Sequence, residues 1–166
     1  LTASPYVVAA TLALPVANLK QLLALAKSRP NGVSYASAGV GSITHMGAEL
    51  LTVMANTPMT HVPYRGVADA YPAVASGLVD WVLGNPVSIL PLINSGRLKA
   101  VAITSATRAK ALPDLPTVAE SGVPGYEVIG WYGLFAPAHT PPQIVSKLQA
   151  ELKRSLQSPD FIRRME

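Results

Sequence analysis

The residues best suited to chemistry in this sequence lie together in Tyr35–His45, YASAGVGSITH. Gly39 and Gly41 admit positive φ and let the backbone approach a bound molecule closely. Ser37 and Ser42 add hydroxyl donors. A helix opening at Ser42 or Thr44 leaves N–H groups unpaired at the positive end of its dipole. Such a set receives an anion without any formal positive charge, and a carboxylate is the natural guest. A strand, a glycine turn and a helix also occur in succession simply as a tight connection, and the residues alone leave both readings open. A nucleotide-binding fingerprint fits poorly, because Thr44 stands where the third glycine belongs and no Walker lysine follows.

Two further junctions carry related chemistry. His61-Val62-Pro63-Tyr64-Arg65-Gly66 brings a phenol, a guanidinium and a glycine to the start of another helix. Arg65 either pairs with a carboxylate or is a solvated charge. Gly84-Asn85-Pro86 offers an amide and backbone groups. Ligands of α/β sheets collect beyond the carboxyl ends of strands, so these junctions can converge on one cleft. Enzyme chemistry has less support. His45, His61 and His139 lack the spacing of a helical metal pair and have no carboxylate beside them in sequence, so no metal or other cofactor is expected. Ser42 is not in a G-x-S-x-G elbow, which leaves a hydrolase using Ser42 and His45 as an alternative. A ligand-sensing interaction module is another.

The elements that must position these residues alternate between short apolar strands and helical stretches, the pattern of an α/β sheet covered by helices. Strands are expected at Tyr6–Ala10, Val33–Ser37, Thr60–Tyr64, Val79–Leu83 and Lys99–Ser105, the last buried on both faces. Asn18 caps a helix with Leu19, Leu22, Leu23 and Ala26 inward, ended by Pro30-Asn31-Gly32. The helix after the glycine turn is expected to bury Met46, Leu50, Val53 and Met54. Helices follow at Val67–Ser76 and Val87–Asn94, then an irregular connection over Leu112–Gly125 with a short helix near Thr117–Ser121. Glu127–Ala136 reads as one long apolar and aromatic strand. Thr140, with Gln143 at the capping-box position, opens a helix striped by Ile144, Leu148, Leu152 and Leu156. Ser158-Pro159-Asp160 starts another, about two turns from the end of the sequence, which reads as a missing C-terminus.

The chain has 166 residues, 49% hydrophobic and 13% charged, which favours a well-buried core over disorder. No apolar run approaches the roughly 20 residues that cross a membrane. The net charge of +4 comes chiefly from Lys147, Lys153, Arg154, Arg163 and Arg164 near the end. Basic residues spaced along a helix form a solvated face, and the aromatic-and-basic pattern of a nucleic-acid surface is absent. An anionic small molecule suits the mild positive balance. Without cysteine the chain has no disulfide or thiolate chemistry, which suits an oxidising compartment. No charged n-region with an apolar core opens the chain, so any secretion signal lies outside it.

The strings YASAGVGSITHMGAELL, HVPYRGVADAYPAVASGLVD, GRLKAVAITSATRAKALPDLPTVAESGVPGYEV and WYGLFAPAHTPP resemble the substrate-binding proteins of tripartite tricarboxylate transporters, the TctC or Bug family. The resemblance runs from about Pro5 to Glu166. It implies a periplasmic-binding-protein type II (Venus-flytrap) architecture, with a mixed sheet flanked by helices in each of two hinged lobes. It implies a non-catalytic, periplasmic protein that delivers carboxylates to membrane permease subunits. Residues 6–130 would be the second lobe. Residues 131–166 would be a return segment and helices of the first lobe, whose N-terminal part, with the family's opening glycine-rich loop, has no counterpart here. By match to the family's loop, Ala38, Gly39, Gly41, Ser42 and His45 line the cleft, with Tyr64, Arg65 and Gly66 nearby. Gly84 departs from the resemblance, which leads one to expect an acidic residue there, so the ligand can differ. A half-clamshell of this kind is expected to bind ligand weakly and to self-associate.

Overall fold

The computed structural model describes residues 2–29 and 32–165, so Pro30 and Asn31 of the expected helix stop, and the end of the chain at Glu166, lie outside the described residues. In chain order the elements are β1 (Thr2–Pro5), β2 (Val7–Thr11), α1 (Leu19–Ser28), β3 (Ser34–Ser37), α2 (Ile43–Met54), β4 (Thr60–Pro63), α3 (Val67–Ala75), β5 (Trp81–Gly84), α4 (Pro86–Asn94), β6 (Leu98–Ile103), β7 (Ile129–Tyr132), α5 (Pro142–Leu156) and α6 (Pro159–Met165). Packing divides them into two units, Ser4–Gly130 and Leu1–Ala3 with Trp131–Glu166.

The larger unit is built on a five-stranded sheet in the order β4-β3-β5-β2-β6. β3 runs parallel to β4 and to β5, while β2 is antiparallel to both β5 and β6. The sheet is therefore mixed. Its strands alternate with period two between two cores, as a sheet covered on both faces requires. Val8, Ala10, Tyr35, Trp81 and Leu83 face one side, where Leu19, Leu22 and Ala26 of α1 and Ala48 and Leu51 of α2 cover them. Val7, Ala9, Ala36 and Val82 face the other, under Ala70, Tyr71 and Val74 of α3 and Ile89 of α4. The expected face of α1 is the buried one, and the Asn18 side chain accepts from the Gln21 N–H as its cap.

The inner face of α2 differs from expectation. Thr44, Gly47, Ala48, Leu51 and Thr52 are buried, whereas Met46, Leu50, Val53 and Met54 lie on the exposed side. Small residues win because the helix lies close to the sheet: a Cβ on Gly47 would sit 2.8 Å from Leu83 Cδ1 and 3.2 Å from Val128 Cγ1. β6 is an edge strand, with Val101, Ala102 and Ile103 buried but Lys99 and Ala100 only half-buried. The short helix expected near Thr117–Ser121 is a single hydrogen-bonded turn. There Thr117 and Glu120 cap each other, N–H to side chain in both directions.

The smaller unit holds α5, α6 and the segment that leads into them. The long strand expected over Glu127–Ala136 is confined to Ile129–Tyr132, which pairs with β1. Thr140 does not cap α5. Its hydroxyl donates to Pro137 O, Pro141 takes the cap position, and no side chain caps the helix. Ser158 does cap α6, accepting from the Phe161 N–H.

Candidate functional site

The parallel strands β3, β4 and β5 end on one edge of the sheet, and each feeds a helix there: α2, α3 and α4. Their caps are Ser42, Gly66 and Asn85. This topology brings the three junctions to the same side of the sheet, the placement that convergence on one cleft would need.

The β3–α2 loop is shaped by its glycines, Gly39 at φ +118° and Gly41 at φ +80°. Side chains at Gly39 would be strained by that φ and would also approach Tyr64 O of the neighbouring junction at 3.3 Å. The two junctions touch directly, since the Tyr64 N–H donates to Ser37 O at 3.0 Å. Around the glycines the loop is held by short bonds from its own polar side chains. Ser42 Oγ donates to Gly39 O at 2.7 Å and accepts from the His45 N–H. Thr44 Oγ1 accepts from the Ala38 N–H at 2.9 Å. His45 Nδ1 accepts from the Gly41 N–H at 3.1 Å, which places that imidazole's proton on Nε2. Ser37 is fully buried; its hydroxyl accepts from the Gly39 N–H and lies 2.7 Å from His61 Nε2. Among the described residues, no protein acceptor meets the N–H groups of Val40, in the loop, and Ile43, the first residue of α2, and both residues are exposed. Unpaired donors beside a helix dipole suit an anion that docks at the loop.

At the β4–α3 junction Arg65 is exposed, and among the described residues it has no ion pair. Tyr64 is half-buried against the core under α3. Gly66 has φ 172°, extended backbone open to any residue, and α3 lacks a side-chain cap. Asn85 accepts from the Val87 N–H and so opens α4. The glycine before it has a packing cause: a Cβ at Gly84 would fall 2.6 Å from Ile89 Cβ. The acidic residue expected there would collide with α4.

Sequence reasoning missed how His61 and Thr44 serve this loop. The His61 ring stacks on His45 with centroids 4.1 Å apart and on Tyr35 at 5.0 Å. Tyr35 in turn packs on Trp81 at 5.3 Å and donates to Glu49. Burial, reinforced by the His45 charge and opposed by Glu49, holds the His61 imidazole below its ordinary value. Burial, aided by Glu49, pushes the Tyr35 phenol up. The signal for the stack lay in the parallel register, which puts Tyr35 opposite His61. Ser42 and His45, weighed together as nucleophile and base, do not meet through the imidazole: Nδ1 holds the Gly41 N–H, and the serine hydroxyl is engaged by the Gly39 carbonyl.

A mixed sheet flanked by helices, with junctions gathered at the carboxyl ends of parallel strands, is an α/β architecture in which ligands collect beyond those ends. The sequence matches the tripartite tricarboxylate transporter family receptor over residues 1–166, and the chain belongs to that family. It is 39% identical over 146 residues to a UPF0065 protein from the tcbD-tcbE intergenic region of a Pseudomonas species, covering 87% of this chain and 44% of the relative. It is 32% identical to protein BugT of Bordetella pertussis, covering 93% of this chain and 47% of BugT. Among solved structures it superposes on periplasmic binding protein BugD with a TM-score of 0.92 at 35% identity, covering 98% of this chain and 55% of BugD. It superposes on MatC of Rhodopseudomonas palustris with bound malate at 0.91 and 34% identity, covering 99% of this chain and 56% of MatC. An R. palustris protein with adipate gives 0.92 at 34% identity, covering 96% of this chain and 53% of that protein. The chain spans about half the length of the curated relatives named here.

Proposed function

We propose that this chain forms the second lobe of a periplasmic solute-binding receptor that captures a small organic carboxylate without catalysis and delivers it to the membrane permease subunits of a tripartite tricarboxylate-type transporter. On this reading residues 6–130 are that lobe, and residues 131–166 return toward the first. The observation that carries it is the β3–α2 loop, where the Val40 and Ile43 N–H groups meet no protein acceptor among the described residues and α2 begins, one strand away from the junction that holds the exposed Arg65. Malate bound to MatC and adipate with the R. palustris neighbour support a carboxylate as guest. Ala38, Gly39, Gly41, Ser42 and His45 form one wall of the site, with Ser37 beneath it. Tyr64, Arg65 and Gly66 border it, and Asn85 lies at the next junction. Closure of the first lobe over this wall would expel water and strengthen each of these hydrogen bonds.

Calorimetry of the full-length receptor against mono-, di- and tricarboxylates tests the reading. Binding of at least one, displaced by no neutral analogue, is the expected result. No heat from any member of a broad panel, with the protein shown to be folded, would sink it.

A further inference from the structure

His61 lies outside the residues that face the ligand in the reading above, yet it touches both glycines of the loop through intermediaries. Its Nε2 meets the Ser37 hydroxyl, which accepts from the Gly39 N–H, and its ring lies against His45, which holds the Gly41 N–H. Resting on the proposed carboxylate function, we infer that His61 is a positioning residue of the carboxylate loop, and that ligand capture draws one proton onto the stacked His45–His61 pair.

The sign follows from the hydrogen bonds. With Nδ1 unprotonated, His45 uses the Gly41 N–H and withholds it from an anion. A carboxylate arriving at the start of α2 stabilises the imidazolium form of His45. Protonated Nδ1 can no longer accept, so the Gly41 N–H is released and both donors turn to the anion. The proton comes from solvent. The pair takes only one, because two imidazolium rings 4.1 Å apart repel and because His61 is itself desolvated. Among the described residues, the ionisable groups that act on the pair are Glu49 from α2 itself and Tyr35 from β3, whose hydroxyl is bonded to Glu49, while Tyr126 also reaches α2 by donating to Gly47 O. β5, also packed against α2, contributes no ionisable side chain.

Proton uptake means that affinity rises as pH falls, by at most about tenfold per pH unit, until the free protein carries that proton as well and the rise levels off. The test is calorimetry of the full-length protein with malate and adipate between pH 8 and 5.5, in two buffers of different ionisation enthalpy. Uptake of up to one proton within that pH range and a rising affinity are expected. In His45→Gln an amide oxygen can still take the Gly41 N–H but nothing titrates there, so the slope vanishes. His61→Phe keeps the ring stack and loses the bond to Ser37. It should bind several-fold more weakly at every pH with the slope retained, and His61→Gln should recover part of the loss. Zero uptake with a flat profile, a slope surviving in His45→Gln, or wild-type affinity in His61→Phe each overturns the inference. NMR of the protein without added carboxylate supplies a separate arm: the Gly41 amide shift should follow the His45 titration. A Gly41 shift indifferent to that titration also overturns the inference, even where carboxylate binding succeeds. A linked shift with no carboxylate bound would instead fault the functional reading.

Discussion

At the β4–α3 junction Arg65 is exposed and free of ion pairs among the described residues, so replacing it alters the field at the site while leaving packing alone. Arg65→Gln should weaken carboxylate binding by about 10- to 100-fold, the loss of a charge-assisted bond, with the melting temperature unmoved. Unchanged affinity in calorimetry would make Arg65 a solvated charge, the other reading its sequence context allowed. Ser42→Ala acts differently, because its hydroxyl is both the cap of α2 and the tie to Gly39 O. It should cost about 0.5–2 kcal/mol of stability in chemical denaturation and also loosen the binding loop. His61 gives a pH signature in the protein alone. Its folded imidazole is held below the unfolded value, so the unfolded chain binds the proton more readily and stability falls as pH drops below about 6.5. Thermal melts of His61→Phe should lose less between pH 7.5 and 5.5 than those of the parent. Gly39, Gly41 and Ser42 were legible in the sequence because their roles are local. The contact of His61 with Ser37 was hidden, since it depends on which strand lies beside which, and Thr44's bond to Ala38 depends on how the loop folds back on itself.

The strand-to-helix junctions could be read from apolar runs broken by Gly, Pro and capping residues, and α1 even showed its buried face. The face of α2 misled because hydrophobicity pointed to Met46, Leu50 and Val53, while close approach to the sheet demanded Gly47 and Ala48. No count of apolar residues reports that spacing. Similar reasoning explains Gly84, whose missing side chain makes room for Ile89. Gly84→Ala should destabilise by about 1–3 kcal/mol, since Ile89 is anchored at its Cβ and cannot swing away. Combined with Ile89→Ala, which removes the Cγ1 and Cδ1 contacts but keeps the one at Cβ, the penalty should be partly relieved and so less than additive in a double-mutant cycle. Strict additivity would mean that α4 shifts as a body instead. The cap of α5 was misread because the helix begins one residue later than the motif suggests: Pro141 takes the cap position, and Thr140 turns back to the Pro137 carbonyl.

Within the smaller unit α5 buries none of its residues, and Leu134, Phe135, Ile144 and Leu148 are exposed. A groove of about 370 Å³ is lined by Leu134, Phe135, Val145, Leu148 and Leu152. Apolar surface of this kind seeks cover. This chain in isolation should therefore self-associate, giving a scattering mass that climbs with concentration, and a monomer at all concentrations would refute that. The sequence could not show how the larger unit closes, because its sheet depends on β2, the antiparallel strand between β5 and β6. Val7 is paired with Gly84 on one side and Ile103 on the other. The parallel portion can assemble from neighbouring segments, but β2 must wait for partners synthesised far downstream. Long-range closure of this sort slows folding and leaves a sticky, half-made sheet in the interval. The strand that completes the sheet is thus also the one most exposed to capture by a chaperone or by another unfinished chain.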